Sequence, residues 1–300
     1  MSNFKASNYL ENISGDKKIN IFKKIYWILI CVLNYVISLI DKKDPRIELI
    51  KFRKNIKSNL IKKNESPSRI LSDIFWLTFP WNKTKKILKK KISIIEVGCG
   101  DGRYGFLLKK ILKKNFKNYT GIDIKKKQTW KTKNKEILFK KSDCYKIGKF
   151  LNNKDLIITQ SALEHFKYDL KFFENIQKKI INKKKLIQIH LIPSYTCLFT
   201  YLCHGYRHYN INTISKITKI FKKNCQIKLF TLGSLKLNLF HFTNITLSKN
   251  DYLKQKNTNS DYYKKLSSMI KENAKSKNRL FPNFYALVIF HNFKEKITNL

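Results

Sequence analysis

The stretch Ile92-Ser93-Ile94-Ile95-Glu96-Val97-Gly98-Cys99-Gly100-Asp101-Gly102 decides how this chain folds. Its first half is almost continuously apolar and β-branched, which predicts a buried strand over 92–98. Three glycines at alternate positions then predict a tight bend, because glycine reaches backbone conformations closed to other residues and lets a ligand approach closely. A helical pattern follows at about 104–114. Strand, glycine bend and helix in that order make a ligand-binding corner of an α/β sheet. The spacing is G-x-G-x-G and lacks the third glycine of the dinucleotide fingerprint, since Tyr104 and Gly105 follow Arg103.

Outward from this corner the chain alternates strands and helices. Further strands are predicted at 118–124, 136–140, 155–159, 186–192, 226–232 and 284–290. Helices are predicted near 126–133, 168–182 and 195–203, and an insertion over 233–280 carries another at about 261–273. Such alternation with apolar strands implies a parallel sheet covered on both faces. The expected fold is α/β: a Rossmann-like, seven-stranded, mostly parallel sheet over 92–300, preceded by a helical extension over 1–91.

Within that extension, residues 1–20 read as a frayed terminus. Ile25 to Ile40 run without a charge between Lys23-Lys24 and Asp41-Lys42-Lys43. Such a helix rises roughly 24 Å, short of the ~30 Å hydrocarbon core of a bilayer. No small-residue cleavage site follows, so a secretory signal is not expected. An amphipathic helix at about 21–40 is, with Asn34 and Ser38 on one side and Ile25, Leu29, Val32, Val36 and Ile40 on the other. It either packs on the domain or lies in a membrane interface, which would make the protein cytoplasmic and peripheral at the membrane. The rest of the extension, 47–90, reads as helical, with Ser66 and Ser68 as caps and Pro80 as a breaker.

Composition narrows the partners. The 300 residues are 43% hydrophobic and 13% aromatic, enough to bury a core, which excludes a disordered or fibrous chain. The net charge of +43 would suggest nucleic acid, yet only six of the 63 basic residues are arginine. Lysine spread through every segment matches the bias of an AT-rich genome, whereas a phosphate-gripping surface favours clustered arginine. The six cysteines form no CxxC, and no His/Cys group has zinc-ligand spacing, so neither a metal nor a disulfide framework is expected.

Two further features mark the corner itself. An acid, Glu96, stands two residues before the first glycine, and the next strand ends in Asp123, placed to accept hydrogen bonds from a ribose diol. At this point the chain resembles the class I S-adenosylmethionine-dependent methyltransferases, from about 92 to 192. The resemblance implies that Glu96, Gly98, Gly100 and Gly102 lie along the cofactor and that Asp123 takes its ribose hydroxyls. It further implies that Asp143, in Ser142-Asp143-Cys144, meets the adenine amino group. Thr159-Gln160-Ser161-Ala162-Leu163-Glu164-His165-Phe166 looks like the family's segment beside the methyl group, with Gln160 on the cofactor and His165 as candidate base.

A second cluster follows the fifth strand: His190, then His204-Gly205-Tyr206-Arg207-His208-Tyr209. Histidine, arginine and tyrosine gathered beyond a strand's carboxyl end suit an acceptor wall, in which Arg207 would hold an anionic or hydroxyl-rich substrate. A zinc reading of His204 and His208 fails, because Gly205 interrupts the helix it needs. The pairing of the 160–166 segment with this cluster looks like a subgroup of these methyltransferases associated with bacterial surface polysaccharides. The expected function is therefore methyl transfer to a saccharide or similar small acceptor, at oxygen. Two alternatives stand beside it: an RNA acceptor drawn by the lysines, and a non-catalytic cofactor-binding scaffold at a membrane surface.

Overall fold

The structure is a computed structural model that describes residues 10–16, 18–54, 65–132, 134–180, 185–221, 224–248, 260–293 and 297. Eight strands form one sheet in the order β1-β7-β8-β6-β5-β2-β3-β4. They are β1 (Ile47–Lys51), β2 (Ile92–Val97), β3 (Phe116–Asp123), β4 (Ile137–Lys141), β5 (Leu156–Gln160), β6 (Leu186–Pro193), β7 (Cys225–Leu232) and β8 (Phe284–His291). All neighbours pair parallel except β8, which runs antiparallel to both β6 and β7.

Alternate residues of each strand face opposite sides, and both sides are apolar. Ile92 and Ile94 point to a core built with α2 (Pro67–Thr78), α3 (Trp81–Leu88) and α4 (Arg103–Leu112). The same core takes in α7 (Leu235–His241) and α8 (Ser260–Lys275). Ile95 and Val97 point to the other core, with α5 (Asp169–Ile180) and α6 (Ile211–Lys219). Each fully buried aromatic or branched residue contributes about 1.5–3 kcal/mol.

The seven predicted strands are all present, and an eighth corrects the reading of 47–90 as wholly helical. Ile47-Glu48-Leu49-Ile50-Lys51 pairs residue for residue with Ile227 to Thr231. Because α2 and α3 also pack into the first core, β1, α2 and α3 are integral to the sheet domain rather than an appendage. The helices expected at 126–133 and 195–203 reduce to single 3-10 turns at Gln128–Trp130 and Tyr195–Cys197. Lys133 lies outside the described residues.

Residues 10–16 are tied down rather than frayed. Gly15 N–H donates to Gly205 O at 2.8 Å, Asp16 Oδ1 accepts from Gly205 N–H at 3.1 Å, and Asn12 Nδ2 donates to Tyr206 O at 3.0 Å. They lead into α1 (Ile21–Leu39), which buries Trp27, Cys31, Asn34 and Ser38.

Candidate functional site

The strand order reverses between β2 and β5: the chain winds outward from β2 to β3 and β4 on one side, and through β5 and β6 on the other. A crevice at the carboxyl ends of such strands is where ligands bind in open α/β sheets. Here Gly98, following β2, and Ser161, following β5, line two adjoining hollows of about 720 and 560 Å³. Ser161 also lines a third, of about 200 Å³.

The glycine bend owes its course to left-handed backbone at Gly98, Gly100 and Gly102, with φ of +72°, +50° and +76°. At Gly102 a side chain has no room, since a Cβ would lie 2.2 Å from the Phe139 ring. At Gly100 no atom lies within 4 Å of where a Cβ would be, so the open space above this residue is free for a ligand. Asp123 braces the bend from β3: its Oδ2 accepts from Gly100 N–H at 2.9 Å, and its Oδ1 accepts from Lys125 N–H at 3.0 Å. Trp130 closes the same bend by donating its indole N–H to Gly100 O at 2.8 Å while stacking on Phe139.

The largest hollow runs from Gly98 past Asp123, Ser142 and Asp143 to Ala162 and His165. Asp143 begins the 3-10 turn after β4, where its Oδ1 accepts from Tyr145 N–H at 2.8 Å. The second hollow holds Glu96, Asp101 and Gln160. Glu96 is buried and bonded to the Tyr119 hydroxyl. Burial pushes its carboxyl up to about 8, against the hydrogen bond from Tyr119, with the Asp123 charge adding to the rise.

Gln160 ties the sheet to α2. Its Oε1 accepts from Trp76 Nε1–H at 2.7 Å, and its Nε2 donates to Ser72 Oγ at 3.1 Å and Ser161 Oγ at 3.0 Å. With its amide engaged on the protein, Gln160 holds α2 beside the crevice. That helix starts at Ser66, whose side chain caps it, with Pro67 in the first turn. Ser66, Ser68, Arg69 and Ser72 thereby reach the small hollow, facing Glu164, Tyr201 and His204.

Between the hollow of about 720 Å³, lined by Asp16 and His165, and the small one, lined by Glu164 and His204, stand two carboxyls and two imidazoles. His165 Nδ1–H donates to Asp16 Oδ2 at 2.7 Å, and His204 Nδ1 lies 3.5 Å from Asp16 Oδ1. Glu164 Oε1 lies 4.0 Å from His165 Nε2 and 3.9 Å from His204 Nε2. Burial lowers the His165 pKa, but the hydrogen bond it donates to Asp16 and the charges of Glu164, Asp16 and Asp123 outweigh it and raise the imidazole. Burial also works to raise Asp16, yet its bond to His165 wins and holds it near 2. The Glu164 carboxyl is buried, its Oε2 finds no partner among the described residues, and burial lifts it to about 7, against the charge of His165. Such an assembly can take and pass a proton near neutral pH. Asp16, His165 and His204 also hold their ligand-type atoms within 4.8 Å of one another, close enough to share a cation.

The predicted acceptor wall divides. His204 lines the small hollow, but three of its companions do not reach the crevice. His190 is fully buried, with Nδ1 2.9 Å from Thr159 Oγ1 and Nε2 3.0 Å from Gln188 Oε1, and burial drops its pKa to about 3. It is a core residue, because it sits in mid-strand on β6 rather than beyond its end. His208 is buried edge-on against Trp27 of α1, and burial lowers it to about 3 as well. Arg207 donates to Asp169 Oδ1 and to the carbonyls of Phe166 and Lys167, fastening its loop to the segment after β5 instead of facing the crevice.

The sequence reading passed over Asp16, Glu164 and α2's serines. Asp16 carries no local signal, since only the fold brings the terminus to the loop at 204–206. Glu164 lies inside the 159–166 motif, where its neighbour His165 carries the stronger signal, and Ser66 and Ser68 carry the signal of helix caps.

The residues present fit S-adenosylmethionine. Open space over Gly100 accommodates a ligand against bare backbone, and Asp123, ending β3, offers a carboxylate at the rim of the hollow that Asp143 also lines. A family model described as a methyltransferase domain matches residues 88–273. No curated protein matches the sequence. Among solved structures, the plantazolicin methyltransferase BpumL in complex with a monoazolic desmethylPZN analog and SAH is 14% identical, over 76% of this chain and 86% of that one, with a TM-score of 0.47. A cyclopropane-fatty-acyl-phospholipid synthase-like protein from Lactobacillus casei is 10% identical over 78% and 97%, with a TM-score of 0.45. A SAM-dependent methyltransferase from Aquifex aeolicus is 21% identical over 43% and 74%, at 0.31. At such scores these likenesses add no weight to the family match, which spans more than half of the chain. The chain belongs to this methyltransferase family, with S-adenosylmethionine as methyl donor, and the open glycine bend and Asp123 have the form such a donor fits.

Proposed function

We propose that the enzyme methylates a hydroxyl oxygen of a small, hydroxyl-rich acceptor of the saccharide class. The observation that supports this reading is the small hollow of about 200 Å³, lined by Ser66, Ser68, Ser72, Glu164, Tyr201 and His204. Its walls offer hydroxyl, imidazole and carboxyl groups, the partners that sugar hydroxyls match. The donor brings a methyl group already activated on sulfonium. The chain's own task is then to aim the acceptor oxygen and remove its proton, and orientation alone is worth on the order of 7–11 kcal/mol in favourable cases. His165, made more basic by Asp16, is the base, and Glu164 beside it receives or relays the proton.

A volume this small holds one sugar-sized group, and dispersed lysine without clustered arginine disfavours an RNA acceptor. Radiolabelled methyl transfer checks the assignment, with monosaccharides, nucleotide sugars, RNA and primary amines offered in parallel. Label on a sugar oxygen, lost in His165→Ala, is expected. Label on RNA or amine alone overturns the acceptor class. Asp123→Ala, which removes the carboxylate at the donor cradle, serves as the inactive control.

A further inference from the structure

Helix α1 packs with its polarity reversed. Its inward stripe is Trp27, Cys31, Asn34 and Ser38, and it carries the helix's two buried polar side chains. Asn34 exchanges hydrogen bonds with the backbone of Leu10. Ser38 Oγ accepts from Asn210 Nδ2 at 2.6 Å, Ser38 O accepts from Asn212 Nδ2 at 2.9 Å, and Trp27 Nε1–H donates to Gly205 O at 2.9 Å. The outward stripe is Phe22, Ile25, Leu29, Val32, Val36 and Ile40, spaced by three or four residues along one face. Phe22 is 77% exposed and Ile40 85%. A helix that only covers a core shows the opposite arrangement, and a continuous apolar face of this kind marks an interaction surface.

Charge identifies what covers it. Lys18, Lys23 and Lys24 stand exposed at the amino end of the stripe, and Lys42 and Lys43 at the carboxyl end. The acid between them, Asp41, is paired with Lys216 at 2.8 Å. An apolar stripe flanked by lysines is the signature of a helix lying in a membrane interface, with cations among anionic headgroups. A second copy of the chain would bring like charges together. With 19 residues α1 is long and apolar enough to span, but its inward hydrogen bonds fix it to the segment at 205–212 and favour lying on the surface.

We propose that α1 seats the enzyme on an anionic lipid surface, its outward stripe at the acyl boundary and its lysines among the phosphates. This does not rest on the identity of the acceptor. The test is co-sedimentation of the full chain with vesicles of phosphatidylcholine mixed with phosphatidylglycerol, against vesicles of phosphatidylcholine alone. Wild type is expected to partition at least about tenfold more onto the anionic vesicles, as several headgroup-facing lysines imply. The double variant Leu29→Glu, Val36→Glu is expected to lose that binding while keeping its affinity for S-adenosylhomocysteine, which shows that it is folded. The milder Phe22→Ser, Val32→Ser pair is expected to weaken it in the same direction. Wild type remaining in the supernatant with both vesicles, or equal sedimentation of the Glu variant, overturns the proposal. So does a wild-type dimer in light scattering that the Glu variant converts to monomer.

Discussion

The imidazole of His165 donates to the Asp16 carboxylate at 2.7 Å, although 149 positions of chain separate the two residues. The base proposed for the acceptor is thus tuned by the amino-terminal segment, which Asn12, Gly15 and Asp16 clip to Gly205 and Tyr206.

Asp16→Asn removes the carboxylate that raises the His165 pKa. The base is then weaker, so the acid limb of the kcat/KM profile should move to lower pH while the plateau falls about ten- to a hundredfold. The same substitution has a stability signature of fixed sign. Asp16 has a folded pKa near 2, below its ordinary 3.8, so its contribution is full above pH 3.8 and lost as pH falls toward 2. A pH–rate profile of Asp16→Asn superimposable on that of wild type would detach Asp16 from catalysis.

Gly100→Ala and Gly102→Ala should fail in different ways. Both place a side chain on left-handed backbone, at a cost of roughly 1–2 kcal/mol. At Gly102 the new methyl also meets Phe139, and overpacking should add about 1–3 kcal/mol of destabilisation. At Gly100 the methyl enters the open space required by the donor, so calorimetry should show affinity for S-adenosylhomocysteine falling at least about tenfold. Unchanged affinity in Gly100→Ala would place the donor elsewhere.

Arg207→Met should act on stability. Asp169 is buried beneath this guanidinium, and removing one partner of a buried pair costs about 3–5 kcal/mol. Urea denaturation reads this directly. A raised KM for acceptor with unaltered stability would restore Arg207 to the acceptor wall.

Buried titratable groups set where the protein is most stable. Burial holds His190, His208 and His291 at about 3 and His241 at about 4, well below the ordinary 6.5. As pH falls below 6.5 the unfolded chain takes protons that these native imidazoles refuse, so stability drops, by up to about 1.4 kcal/mol per pH unit per group. Glu96 and Glu164 work oppositely. Their folded pKa values of about 8 and 7 exceed the ordinary 4.5, so their contribution is full below 4.5 and is lost as pH rises through 7 and 8. Between 4.5 and 6.5 the four imidazoles outweigh the two carboxyls, and between 6.5 and 8 the carboxyls, joined by the raised His165, lower stability as pH climbs. Urea midpoints should therefore peak near pH 6.5, and a rise continuing to pH 8 would contradict this assignment.

Local chemistry made the donor half of the site legible. Ile92 to Val97 announces its strand, and glycine at 98, 100 and 102 can mean little but a bend, so the corner could be read without coordinates. Asp123 followed from the end of the next strand. The acceptor half depends on contacts between distant segments, which periodicity does not record. Five residues, Ile47 to Lys51, are too few to separate a strand from a helical turn until β7 lies alongside. His190 carries the residue type of a ligand wall, and only its depth within β6 makes it core.

The place of β1 and β8 in the sheet has a practical consequence. A shortened protein cut to residues 88–273 would retain the donor cradle and the signature by which relatives are found. It would lack β8, which zips β6 to β7, and β1, which covers the far edge of β7. Two long ribbons of unpaired amides would lie open to neighbouring molecules, so such a fragment should clump rather than fold, and any swap of modules in this lineage must carry both flanks along with the centre.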